Sequence, residues 1–141
     1  GDGQGVPIGS RYSRAVVLLR GRERGGTLPA APMRDRSCGG GKAEVADLQA
    51  EFDESIIHDR TGCHFHPCYL PAYLRWFAKT KSRLFKQVCR WMSIGEYLEL
   101  KLFGQSAVSY SVASWLGLLN RNSLTWDEEL MAALPIRIDQ F

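Results

Sequence analysis

Residues 61–76 read TGCHFHPCYLPAYLRW, and the character of the whole chain turns on them. Pro67 and Pro71, four apart, cannot both sit inside one helix. Pro71 suits a first helical turn, where its missing N–H is not needed. The spacing therefore predicts a loop around Pro67 and a helix over Pro71–Lys79. Leu74, Phe77 and Ala78 would form its apolar face, with Trp76 beside them.

The pattern extends in both directions. Upstream, AEVADLQAEFDESII (residues 43–57) places Val45, Leu48, Phe52 and Ile56 at spacings of three and four, which predicts one amphipathic helix ended by Asp59–Gly62. Downstream, a short helix is expected near Ser82–Gln87 and a buried strand over Val88–Ser93. Ser93 and Glu96 form a capping-box pattern that starts the helix IGEYLELKLF, and Gly104 stands where a helix stop favours a left-handed residue. Thr125 and Glu128 repeat the pattern before WDEELMAAL, which Pro135 ends. Between them a loop or short helix is expected at Tyr110–Ser114, a strand at Leu116–Leu119 and a turn at Asn120–Ser123.

Composition divides the chain near residue 42. Residues 1–42 carry eight Lys/Arg against three Asp/Glu and ten of the fourteen glycines, whereas all four tryptophans follow them. So little apolar surface cannot offset a backbone ordering cost of about 1–2 kcal/mol per residue. An irregular or disordered arm over 1–42 is expected, with one short strand within Arg11–Leu19. The core belongs to 43–141. No apolar run approaches the roughly 18–20 residues of a membrane span, so no membrane partner is expected. Four scattered cysteines make a poor disulfide scaffold, and the expected setting is the cytoplasm with reduced thiols.

Candidate chemistry is sparse. Cys38–Lys42, CGGGK, lacks both the glycine five residues before the GK pair and the Ser or Thr after it, so it is no P-loop. Arginines 11, 14, 20, 22, 24, 34 and 36 could contact phosphates, but only Tyr12 offers a stacking platform, and nucleic acid is not expected as a partner. Cys63, His64, His66 and Cys68 are zinc-type ligands crowded into six residues. Structural zinc sites use well-separated pairs, so no metal site is assigned. A small zinc- or nucleic-acid-binding module stays open as the alternative function. The carboxylates fall on expected polar faces or caps, and no catalytic residue is assigned from spacing.

Taken in order, TGC, HPCY, LRW, SIGEYLELKLFG, YSVASWLGLLN and LTWDEEL resemble the FGGY carbohydrate kinases, above all their gluconate- and xylulose-kinase branches. The likeness runs from Val45 to Ile136. It implies an α/β fold: a mostly helical fragment from the middle of the first lobe of a ribonuclease H-like (actin-like ATPase) pair. It implies an enzyme that transfers the terminal phosphate of ATP, with Mg2+, to a hydroxyl of a sugar or sugar acid such as gluconate, xylulose or glycerol. In glycerol kinases an aromatic residue at the matching loop touches the polyol. By register that contact falls on Cys68, with Tyr69 beside it and His66 nearby, so these three are the expected substrate-binding residues.

Departures from the pattern carry their own expectations. The D-x-G-T phosphate strand has no counterpart, and the catalytic Asp and the second lobe would lie beyond Phe141. Ser109 replaces the Asp of the D-Y-S motif, and Tyr73 stands where Lys is common. The fragment is expected to be inactive alone, to bind ATP and Mg2+ poorly, and to self-associate through exposed apolar faces. Residues 1–42 are expected to be frame-shifted or otherwise foreign to the kinase sequence.

Overall fold

A computed structural model describes residues 41–141, together with the backbone of two strands, Val16–Leu19 (β1) and Ala30–Pro32 (β2). β1 lies within the expected Arg11–Leu19 strand, and β2 falls where no element was expected. Both join Val88–Met92 (β3) in an antiparallel sheet of order β2-β1-β3, with Val17 opposite Ala31 on one side and Trp91 on the other. The arginine series and Cys38–Gly40 of the CGGGK stretch lie outside the described residues.

The single helix expected over 43–57 is two helices, Lys42–Glu51 (α1) and Glu54–Thr61 (α2). The reason is local. Phe52 is extended (φ −126°, ψ 146°), and the Asp53 side chain accepts the Ser55 N–H at 2.9 Å as an N-cap. The break also changes which isoleucine points inward: Ile56 is 53% exposed and Ile57 2%. Gly62, at φ 72°, closes α2 in the left-handed conformation.

Leu70–Thr80 forms α3, with Pro71 in its first turn as the proline spacing requires. Ser82–Phe85 (α4) leads into β3. Ile94–Phe103 (α5) carries the expected capping box: Glu96 N–H donates to Ser93 Oγ at 3.2 Å, and Ser93 N–H to Glu96 Oε2 at 2.7 Å. Tyr97 and Leu100 of α5 pack on Met92, whereas Ile94, Leu98 and Leu102 form an exposed apolar stripe.

Tyr110–Trp115 (α6) is a helix, and the strand after it is displaced from expectation. It spans Leu119–Asn120 (β4) because Gly117 is left-handed at φ 72°. β4 pairs with Thr125–Trp126 (β5). Thr125 is therefore a strand residue, not a cap. Asp127 caps Glu128–Ala132 (α7), accepting the buried Leu130 N–H at 3.0 Å.

The main core joins α1, α2, α3, β3 and α7, while α5 packs separately on Met92. Trp91, Leu48, Leu74, Leu118 and Leu130 are its largest fully buried side chains. Burying each leucine contributes about 1.5–3 kcal/mol. Phe77, Phe85 and Trp91 meet in tilted and edge-on contacts with centroids 5.5–6.1 Å apart. This core fixes α3, and the loop of residues 62–69 leads into its N-terminal end. Arg75 braces the same helix, making two hydrogen bonds to Glu51 of α1 and one to the Ala133 carbonyl at 3.0 Å.

Candidate functional site

The loop between α2 and α3, residues 62–69, is anchored along its length. Thr61 Oγ1 donates to the Ile57 carbonyl at 2.8 Å and accepts the Cys63 N–H at 3.2 Å. Glu54 Oε1 accepts the Phe65 N–H at 2.8 Å. The Phe65 ring is buried and lies 6.2 Å from Phe52. Cys63 Sγ donates to the Ser114 carbonyl at 3.4 Å, which ties the loop to α6. Gly117 approaches so closely that a Cβ there would sit 3.4 Å from Cys63 Cβ.

The loop ends in a tight turn made of the residues HPCY. His66 carbonyl accepts the Tyr69 N–H at 2.9 Å, with Pro67 and Cys68 at the two central positions. Proline pre-sets the first of these. His66 Nδ1 accepts the Cys68 N–H at 3.2 Å, so the side chain closes a second ring over the same turn. Tyr69 is extended and serves as N-cap residue of α3, and its ring meets the His66 ring edge-on at 5.9 Å.

His66, Cys68 and Tyr69 are thus brought together in one four-residue turn. His66 is exposed, and Cys68 and Tyr69 are half-buried. His66 and Tyr69 also line a small cleft with Ile57, Cys63, Phe65 and Gly117, and Cys68 is not among its lining residues. Ile57 and the long-range member of that lining, Gly117, were not singled out from the sequence. Chain spacing carries no trace of contacts across fifty residues.

Electrostatics follow the hydrogen bonds. Gln49 Nε2 and the Phe65 N–H both donate to Glu54, and the His64 ring lies 3.5 Å away, which together hold its carboxyl below the ordinary 4.5. Burial pushes the Cys63 thiol above its ordinary 9.0. His58 and His64 stack with ring centroids 4.0 Å apart. Among the described residues no group of three or more His, Cys, Asp or Glu could hold a metal ion, and no disulfide joins Cys63, Cys68 and Cys89. The zinc alternative therefore gains no support. No described helix is long and apolar enough to cross a membrane.

A second set of contacts fixes the far end of α2. Arg60 reaches the buried Asp127 at 2.7 and 3.1 Å and Glu129 at 2.7 Å, while its carbonyl accepts the Arg121 N–H at 2.8 Å. The loop is therefore held between α2, α3, α6 and the β4–α7 segment.

Comparison with known proteins places this architecture. The profile of the FGGY family of carbohydrate kinases, N-terminal domain, matches residues 33–141, beginning inside the stretch that composition set apart. Gluconokinase of Bacillus licheniformis is 32% identical over 92 residues, which cover 65% of this chain and 18% of that enzyme. Rhamnulokinase of Pectobacterium carotovorum is 30% identical over 92 residues. The crystal structure of gluconate kinase from Lactobacillus acidophilus superposes with a TM-score of 0.72 at 28% identity, covering 89% of this chain and 25% of that one. Xylulose kinase from Rhodospirillum rubrum gives the same TM-score at 29% identity. The chain thus spans about a fifth of the length of the curated relatives it matches and carries part of their actin-like lobe. It belongs to the FGGY family of carbohydrate kinases, through the N-terminal domain.

Proposed function

We propose that residues 61–69 form one wall of a sugar-binding cleft, and that the chain serves ATP-dependent phosphorylation of a sugar or sugar-acid hydroxyl within a longer kinase. Gluconate and xylulose are the substrates that its similarity to a gluconokinase and to xylulose kinases favours. His66 and Tyr69 face the sugar from the cleft, and Cys68 contacts it from the turn between them. The observation that carries this reading is the anchored 62–69 loop, whose turn sets the His66 and Tyr69 rings side by side along a narrow crevice. A pocket held rigid before ligand arrives loses less entropy on binding.

Residues 1–141 contain no counterpart of the D-x-G-T strand or of the catalytic Asp. ATP, Mg2+ and the base that takes the hydroxyl proton would then be held by other parts of a family member. On this reading the isolated chain binds sugar weakly and does not turn it over. The exposed stripe Ile94, Leu98 and Leu102 would promote its self-association.

Equilibrium dialysis with labelled D-gluconate and D-xylulose tests this, with Tyr69→Phe as the comparison. Saturable binding weakened about 3- to 10-fold by loss of one hydroxyl hydrogen bond is expected. A folded chain that shows no saturable uptake of either sugar overturns the reading, and ATP-dependent phosphorylation by the chain alone overturns its inactivity.

A further inference from the structure

The HPCY turn fixes more than the position of His66. The Cys68 backbone N–H can only donate, and it donates to His66 Nδ1 at 3.2 Å. A neutral imidazole carries one N–H and one bare nitrogen. Nδ1 must therefore be the bare nitrogen, and the ring proton sits on Nε2. His66 is exposed, which leaves Nε2 open to a ligand. The Tyr69 ring lies edge-on at 5.9 Å, and Pro67 stiffens the backbone that follows. The second ring nitrogen of a histidine is commonly set in this way by the bond its partner makes.

We propose that His66 is a specificity-determining donor, locked by Cys68 N–H as the Nε2–H tautomer, which admits only a ligand presenting an oxygen acceptor to it. This role rests on the sugar-cleft reading above and gives it a polarity. A hydroxyl that accepts from Nε2–H keeps its own proton available for a different acceptor. A carboxylate oxygen satisfies the same donor more strongly, because charge-assisted bonds are roughly twice as strong as neutral ones. The two ligand types share this acceptor chemistry. D-Gluconate offers carboxylate and hydroxyl oxygens, and D-xylulose offers hydroxyl and carbonyl oxygens alone.

Two amide substitutions separate the two nitrogens. In His66→Asn the side-chain oxygen can stand near the Nδ1 position and still accept the Cys68 N–H, but nothing reaches as far as Nε2. In His66→Gln the amide N–H reaches toward the Nε2 position, and the short bond to Cys68 is lost. The experiment is a nitrogen-15 NMR spectrum of the intact chain labelled at histidine, followed by titration of wild type and both variants with D-gluconate and D-xylulose.

The expected result has three parts. His66 shows a protonated Nε2 and a bare Nδ1 at pH 8. The Nε2 signal moves on sugar addition. His66→Asn keeps the Cys68 amide protected from exchange yet binds sugar about 10-fold more weakly, while His66→Gln retains more affinity than His66→Asn. A proton on Nδ1 overturns the proposal even if sugar binds. Sugar binding by His66→Asn equal to wild type also overturns it and leaves the cleft reading standing. No sugar binding by wild type overturns the cleft reading and this role together.

Discussion

Glu54 and Phe65 are joined by a 2.8 Å hydrogen bond from the Phe65 backbone N–H to Glu54 Oε1, across eleven residues of chain. A side chain in the first turn of α2 thereby fixes the middle of the loop that follows the helix. The bond also buries the Phe65 ring in register with Phe52. Glu54→Ala would leave that N–H without its acceptor, at a cost of about 1–3 kcal/mol. Urea denaturation of the variant should show a lower midpoint with an unchanged slope.

The same bond sets a pH dependence. The Glu54 pKa is held below its ordinary 4.5 in the folded chain by its hydrogen bonds to Gln49 and Phe65. A carboxyl depressed on folding stabilises the fold above the unfolded value and loses that contribution as pH falls through the folded one. Exchange protection of the Phe65 amide, corrected for the intrinsic rate, should therefore be flat above pH 4.5 and fall below it. Glu54→Ala should show no such step at Phe65.

Gly117 and Cys63 make a paired constraint. Gly117 is left-handed at φ 72°, and an added Cβ would meet Cys63 Cβ at 3.4 Å. Gly62 has the same φ of 72° but open space around it. Gly62→Ala should cost about 1–2 kcal/mol, from backbone conformation alone. Gly117→Ala should cost more, because the new methyl also presses on the loop. Thermal unfolding of the two variants side by side checks the order.

Asp127 has two tasks, capping α7 and receiving Arg60. Asp127→Ala should destabilise the chain by about 2–4 kcal/mol, combining a lost cap with a part-buried arginine left without its nearest partner. Asp127→Asn keeps a capping oxygen but not the charge, so it should fall between wild type and alanine. Denaturant titration of the three proteins measures this.

Cys63 should be a sluggish nucleophile. Burial raises its thiol above 9.0, and the thiolate is the reactive form. Its alkylation, followed residue by residue by mass spectrometry, should climb with pH to a midpoint above 9.0. A midpoint near neutrality would contradict the burial of this side chain beneath Gly117.

Much of the fold was legible because its signals are local. Pro71, the Ser93–Glu96 box and the Gly104 stop each act within a turn or two, and α3 and α5 appear where those residues require them. The misreadings share one cause, in that a regular pattern concealed a stronger local competitor. Val45, Leu48, Phe52 and Ile56 keep helical spacing, yet the Asp53 cap restarts the helix and turns Ile57 inward. Thr125 and Glu128 have capping-box spacing, but Asp127 is the better cap and Thr125 is claimed by β5.

The candidate site was legible only in part. His66, Pro67, Cys68 and Tyr69 are adjacent, so a loop that groups them could be read directly, whereas its tight turn came from the structure. The Cys63–Ser114 bond, the close approach of Gly117 and the Arg60–Asp127 pair span 51 residues or more. Nothing in the spacing announces them. They arise when the core brings α2, α6 and β4 together. Ala30–Pro32 is similar, since a three-residue strand owes its existence to pairing with β1 rather than to its own sequence.

The central claim is that the HPCY turn is a wall of a sugar cleft. Amide resonances of the intact chain, followed during titration with D-gluconate and D-xylulose, test it most directly. The account predicts saturable shifts centred on Cys63, Phe65, Cys68 and Tyr69, with the far face of α5 unmoved. Saturable shifts centred elsewhere, or a well-dispersed spectrum that neither sugar alters, would contradict it.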